Sequence, residues 1–337
     1  MSLVGVQPGG RHVELEQDAT KHVVPEPTTP EPTTPAQLAP EHVEFRRALV
    51  EAGHLLPLRQ QGTWGRGADL ERVVLGFVGR LDAMYSDRPQ TAYHFGPLMP
   101  QGCFQLTGYV SSQPHLVGSV DIFRGGDSEH RELLAECEAG EDWTHRLEPA
   151  GLMLGSAACH PLYAALAGQQ VSGSYLIYGH AFRHEPSDDP FRSITFRQKE
   201  SVHVGTHEDC AEHRDHYFGR ARDLLTSLGL EVQGEVANDP FFGRAGRLMA
   251  RGQRAAELKR ELSVQAYGPG HPRTALASAN LHGPHFAQAF DITLPDGSPA
   301  ETACMGFGVE RVALALLRAH GLDVREWPAE VRRELAL

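Results

Sequence analysis

Lysine is nearly missing from this chain: its 337 residues include only Lys21, Lys199 and Lys259. Arginine supplies the remaining basic groups, yet 31 Lys and Arg face 43 Asp and Glu, for a net charge of −12. Nucleic-acid binding draws most of its affinity from basic surface, so the balance lowers the expectation of a tRNA partner. Long apolar runs are also missing. No stretch approaches the ~20 residues needed to span a bilayer. The opening MSLVGVQPGG lacks the basic and apolar regions of a secretory signal, so the expectation is a cytoplasmic protein with no membrane partner. The five cysteines, Cys103, Cys137, Cys159, Cys210 and Cys304, are odd in number and widely spread. That excludes a disulfide framework and leaves each thiol as a small buried hydrophobe unless its context argues for a metal.

Residues 25–36 read PEPTTPEPTTPA, a Pro/Thr repeat that cannot build a core. Residues 1–40 are therefore expected to be a disordered tail, and residues 41–337 one α+β domain. Within it, helices are expected at 41–53 and 69–86, the second from Leu70, Val73, Val74, Phe77, Val78, Leu81 and Met84 at steps of three and four. An extended segment follows to Pro100, with strand-like pieces around Tyr109 and Val117–Phe123 and an acidic helix at 127–140. A short helix begins at His160, strands run at 174–185 and 192–200, and Thr206 caps a helix that stops at Gly229. A basic helix is expected at 243–262, strands at 275–281, 286–294 and 299–304, and a helix at 308–320. Hairpins outnumber strand–helix–strand crossovers, which points to an antiparallel sheet.

Two segments carry the chemistry. In FRHE at 182–185 and RSITFRQKE at 192–200, strand alternation places Arg183 with Glu185, and Arg192, Phe196, Gln198 and Glu200 together. Such a surface can bind phosphate oxygens through arginines and stack a purine on an aromatic ring; a solvated hairpin with cross-strand ion pairs has the same composition. In TACMGFGVERVALALLRAHG at 302–321, Gly306 and Gly308 permit close approach of a ligand, and Arg311 sits in the first turn of a helix. Two sets of metal-ligand side chains also stand out. Cys159, Glu200 and Cys304 come from three distant segments and would leave one position of a tetrahedral zinc open. His203, His207 and Cys210 are closely spaced, although Cys210 also falls on the apolar stripe of its helix.

Together these segments resemble class II aminoacyl-tRNA synthetases over roughly residues 44–325. FRHE through Glu200 is similar to the second signature motif of that superfamily and GFGVER to the third, with the helix at 69–86 and the strand ending at Pro100 in place of the first. The resemblance implies an antiparallel sheet flanked by helices and a homodimer. It implies that Arg183 meets the α-phosphate and substrate carboxylate, Glu185 the adenine edge and Arg192 the distal phosphates, that Phe196 and Arg311 enclose the adenine, and that Glu301 is a Mg²⁺ ligand.

The resemblance is closer to one branch, the atypical seryl-tRNA synthetases of methanogens and the amino acid:[carrier protein] ligases. It implies a Zn²⁺ held by Cys159, Glu200 and Cys304 that takes the substrate amino group. GYVSSQPHLVGSVDIF at 108–123 and NDPFFG at 238–243 match the ligases, which places Asp239 beside the substrate ammonium. The expected reaction is ATP-dependent activation of glycine or alanine to an aminoacyl-adenylate, then transfer to the phosphopantetheine thiol of a carrier protein. Only about forty Pro-rich residues precede the core, so no tRNA-binding domain is expected. The basic stretch at 243–262, with Arg244, Arg247, Arg251 and Arg254, suits docking of an acidic carrier protein. Atypical seryl-type tRNA aminoacylation and a non-catalytic synthetase-like protein are the alternative readings.

Overall fold

Apolar residues at helical spacing shape the first half of the core. In the computed structural model, which describes residues 39–239, 242, 253 and 257–337, α1 spans Pro40–Glu51 and α2 Ala68–Tyr85, separated by the hairpin β1 (Leu55–Pro57) and β2 (Trp64–Arg66). The face of α2 expected from spacing is the one it buries: Leu70, Val73, Val74, Phe77, Leu81 and Met84 all lie in the core. Burial of each such side chain contributes roughly 1.5–3 kcal/mol, far more than helix propensity.

Then come β3 (Thr91–His94), β4 (Leu98–Pro100), α3 (Gln101–Leu106), α4 (Tyr109–Ser112), β5 (Ser119–Phe123), α5 (Asp127–Ala139), β6 (Leu147–Leu154) and α6 (His160–Ala165). The second half holds β7 (Gly173–Phe182), β8 (Thr195–Gly205), α7 (His207–Ser227), β9 (Gln233–Val236), β10 (Lys259–Val264), β11 (Thr274–Gly283), α8 (His285–Ala289), β12 (Glu301–Gly308), α9 (Val309–His320) and α10 (Ala329–Glu334). The chain divides into two compact units, one of which includes residues 123–147 and the other residues 35–122 and 148–337. In the smaller, Glu129 caps α5 by accepting from Gly126 N, and Arg146 pairs with Glu132 and Glu136. No helix among the described residues is long and apolar enough to cross a membrane.

The larger unit is built on a seven-stranded sheet, order β3-β7-β8-β12-β11-β10-β9. Its pairings are antiparallel apart from β3 with β7. On β12 the odd residues Met305 and Phe307 join the core formed with α2 and α9, while Cys304 joins a separate cluster with α6 and α8. Two buried polar ties lock the helical side. Tyr85 Oη donates to Met305 O at 2.9 Å. Arg197 on β8 donates to Glu310 Oε1 at 2.6 Å and to both Glu71 carboxylate oxygens at 2.7 and 2.8 Å, joining α2, β8 and α9.

Three expectations are corrected. Tyr109 is helical, because Gly108 turns the chain with φ +77° and α4 follows. Residues 286–294 are not a strand: the chain turns at Gly283, with φ +59°, and α8 stacks Phe286 on Tyr163 at 4.3 Å between ring centroids. Residues 259–262 belong to β10, paired on both sides with β9 and β11, and not to a basic helix. The other helices and strands named above lie within a few residues of their expected places, including α7, where Thr206 and Asp209 cap reciprocally.

Arg197 and Glu310 have side chains only 12% and 7% exposed; removing Arg197 leaves Glu310 with Arg66 alone, at 3.1 Å, and takes both hydrogen bonds from Glu71. Arg197→Ala is predicted to cost about 3–5 kcal/mol, measured by urea unfolding, whereas Arg47→Ala, at a highly exposed pair, should cost no more than about 1 kcal/mol.

Candidate active site

Alternation on four strands creates the floor of a cavity of about 540 Å³. Cross-strand pairing sets Lys259 opposite Asn280, and Asn280 opposite Cys304. In the neighbouring row Glu261 faces Ser278, Ser278 faces Gly306, and Gly306 faces Glu200. All these residues line the cavity. Gly306 is where a side chain does not fit: a Cβ there would lie 2.7 Å from Glu200 Cγ.

Cys159 reaches the same floor from the start of α6. The loop before it is held to β8, where Gln198 Oε1 accepts from Ala158 N at 3.1 Å. Cys159 and Glu200 influence each other's ionisation, and Glu200 Oε2 is buried with no hydrogen-bond partner among the described residues. Burial pushes the Cys159 thiol far up, and the charges of Glu200 and Cys304 push it the same way. Cys304 is pushed up to about 12 by burial and Glu200. Glu200 itself is raised by burial, against the pull of Cys159 and Arg183. Such groups resist ionising together unless a cation joins them. Among the described residues no group of three or more His, Cys, Asp and Glu side chains stands in a ready metal-binding arrangement. Two sulfurs and one carboxylate, with an oxygen of that carboxylate left unpartnered, are nonetheless the donor chemistry that a zinc with one open position uses.

The opposite end of the cavity is cationic. Arg183 Nε donates to Ser156 O at 3.1 Å, and Arg311 Nε donates to Phe191 O at 2.9 Å. Neither guanidinium has a carboxylate within salt-bridge distance among the described residues. Arg311 is held below its ordinary value by burial and by the charges of Arg192 and Arg183. Two half-buried arginines without an ion-pair partner among the described residues can receive an anion. Their guanidinium carbons lie 5.6 and 5.9 Å from the centre of the Phe196 ring. A base inserted between Phe196 and Arg311 needs roughly 7 Å, twice a van der Waals contact, so binding there requires a shift of about an ångström.

Other expected residues stand differently. Arg192 and Glu185 are spent on each other at 2.7 Å and are absent from the cavity wall, although both act on the charge of Arg311. Their side chains are 54% and 29% exposed, so the pair is worth at most about 1 kcal/mol and opens at little cost. Glu301 does not reach the cavity: its carboxylate meets His207 Nδ1 at 2.8 Å. It stands three residues from Cys304, and an odd step along a strand reverses the face. Cys210 is fully buried with Leu281 and Ala303. His203 meets Ser174, so the closely spaced set forms no cluster. Asp239 lines the cavity, bound by Lys259 and by Gln253 Nε2 at 2.8 Å. Burial raises its carboxyl, but Lys259, Gln253 and Arg183 together hold it below its ordinary value. Arg244, Arg247, Arg251 and Arg254 lie outside the described residues.

Sequence reasoning missed Lys259, Asn280, His282 and His160 in the wall. Burial pushes His160 down to about 3 and His282 to about 4, so both rings are neutral at pH 7. The alternation of Lys259, Glu261 and Ser263 was the available signal for β10.

No protein-family profile matches the chain. It is 36% identical over 283 residues to amino acid--[acyl-carrier-protein] ligase 1 of Bradyrhizobium diazoefficiens, covering 82% of this chain and 85% of the relative. Ligase 2 of the same organism is 38% identical over 283 residues, covering 82% and 83%. The chain belongs to the amino acid--[acyl-carrier-protein] ligases. Type-2 serine--tRNA ligase of Methanocaldococcus jannaschii is more distant, 27% identical over 199 residues that cover 56% of this chain and 38% of the relative. Among solved structures, the M. kandleri seryl-tRNA synthetase in complex with A. aeolicus tRNASec matches with a TM-score of 0.73 at 20% identity. The match covers 90% of the ligase chain and 62% of that one. At that identity it shows the fold alone, that of class II aminoacyl-tRNA synthetases, as the motifs implied.

In this ligase, Gly306→Ala is predicted to displace Glu200 while leaving the chain folded. A misplacement of that size costs about 100-fold in rate, read as the amino-acid-dependent ATP–pyrophosphate exchange rate, with the thermal transition measured alongside.

Proposed function

We propose that the protein activates a small amino acid, glycine or alanine, with ATP and passes it to the phosphopantetheine thiol of a carrier protein. The observation that carries this reading is a single cavity lined by two arginines that form no ion pair among the described residues and by two thiols with a carboxylate, in a chain whose relatives are named amino acid--[acyl-carrier-protein] ligases. Arg183 and Arg311 receive the phosphates, Phe196 takes the face of the adenine, and Arg192 releases Glu185 to meet the distal phosphates and the base edge. The phosphates bring their Mg²⁺ with them.

Cys159, Glu200 and Cys304 would hold a Zn²⁺, which supplies a Lewis acid that takes the neutral amino group of the substrate. Lys259 already compensates Asp239, so in this arrangement the carboxylate orients the amine by hydrogen bonding and does not need to face a free ammonium. His160, Tyr109 and Phe286 crowd that end of the wall, which supports a side chain no larger than a methyl group.

The substrate carboxylate attacks the α-phosphorus and pyrophosphate departs. The phosphopantetheine thiol then attacks the acyl carbon, the carbon–oxygen bond to AMP breaks, and AMP and a proton leave. Positioning and charge stabilisation do the catalysis, with no side-chain nucleophile. The reading takes the enzyme as a cytoplasmic homodimer that does not use tRNA.

Radiolabelled amino acid, ATP and pyrophosphate test it. Exchange should be strongest with glycine or alanine, should fall on chelation of zinc and return on its addition, and label should reach a holo carrier protein but not its apo form. Label on tRNA with none on the carrier would replace this reading by seryl-type aminoacylation, and no exchange with any amino acid would make the chain non-catalytic.

A further inference from the structure

Two nitrogen groups on β11 converge on the sulfur of Cys304. Asn280 Nδ2 donates to Sγ at 3.3 Å, and His282 Nε2 lies 3.5 Å from the same atom. Asn280 is the direct cross-strand partner of Cys304, and His282 follows two residues later at the irregularity between Leu281 and Gly283, its ring turned to the same sulfur. The second nitrogen of His282, Nδ1, stands 3.0 Å from Thr302 Oγ1. When the hydroxyl donates to Nδ1, the ring carries its proton on Nε2 and presents it to the sulfur, so a neighbour on β12 sets the tautomer. A protonated thiol is a weak acceptor and has little use for two N–H donors, whereas a thiolate bound to a metal is stabilised by them.

We propose that Asn280 and His282 are positioning residues that donate to Cys304 as a metal-bound thiolate and so set how tightly this ligase holds its zinc. The inference rests on the zinc reading above. Neither residue is a ligand in this assignment. The amide fixes the sulfur along the cross-strand row, and the imidazole, oriented by Thr302, fixes it from the side. Asn280 Nδ2 also approaches Ser278 Oγ at 3.5 Å, which keeps the amide nitrogen turned into the row.

The test measures the metal directly on the full chain. Zinc affinity is read by competition with a chelator, and the cobalt-substituted protein reports the thiolate-to-metal charge-transfer band. Asn280→Leu and His282→Phe should each weaken zinc by about 10–100-fold and shift the band. His282→Gln, which keeps an N–H donor, should recover most of the loss. Thr302→Val, nearly isosteric, should weaken zinc less and shift the band in the same direction; it keeps the test readable if Asn280→Leu fails to fold. Affinity and band matching the parent in the folded variants would overturn the inference and leave the zinc reading standing. A parent chain that takes up no stoichiometric zinc would overturn both. A band lost in both His282 variants would make His282 a ligand, which also overturns the assignment.

Discussion

Strand β12 can show only every second side chain to the cavity, and its pairing with β8 decides which. With Gly306 opposite Glu200 and Cys304 opposite Val202, the thiol and the carboxylate share one face. Met305 and Phe307 then fall on the helical core. A slip of one residue would exchange these sets, burying polar groups among α2 and α9 and exposing aromatic surface to substrate. The buried tie of Arg197 to Glu71 and Glu310 and the bond from Tyr85 to Met305 hold that register from the helical side. The residues that keep the cavity face in place therefore lie on the face that never meets substrate.

The cavity is polarised by what it leaves uncompensated. At one end two half-buried guanidinium groups donate to backbone carbonyls and form no ion pair among the described residues, which leaves them free to take an anion. At the other, thiols and a carboxylate crowd together, a cost that a cation removes. Partial removal from water makes unpaired charge costly at both ends, and the same surroundings strengthen what binds there. By contrast Lys259 and Asp239 compensate each other within the wall, so that stretch holds no unpaired charge for a ligand to neutralise.

Much of this was legible in the residues. The spacing on α2, the Thr206–Asp209 cap and the parity of Phe196, Gln198 and Glu200 each depend on neighbours within a few positions, and each appears where expected. The errors have two causes. Tyr109 and residues 286–294 follow Gly108 and Gly283, whose left-handed backbone redirects the chain, and the arginine-rich run before Lys259 masked the start of β10. Glu301 stands three residues from Cys304, an offset that strand alternation already sets on the opposite face.

Local order came from the chain itself, because helix period, strand alternation and capping act over distances that the sequence encodes directly. The meeting of Cys159, Glu200 and Cys304, the mutual consumption of Arg192 and Glu185, and the approach of Asn280 and His282 to one sulfur were decided only by the fold. Those contacts join segments separated by many residues, and strand order and register, which no local pattern specifies, determine which of them touch.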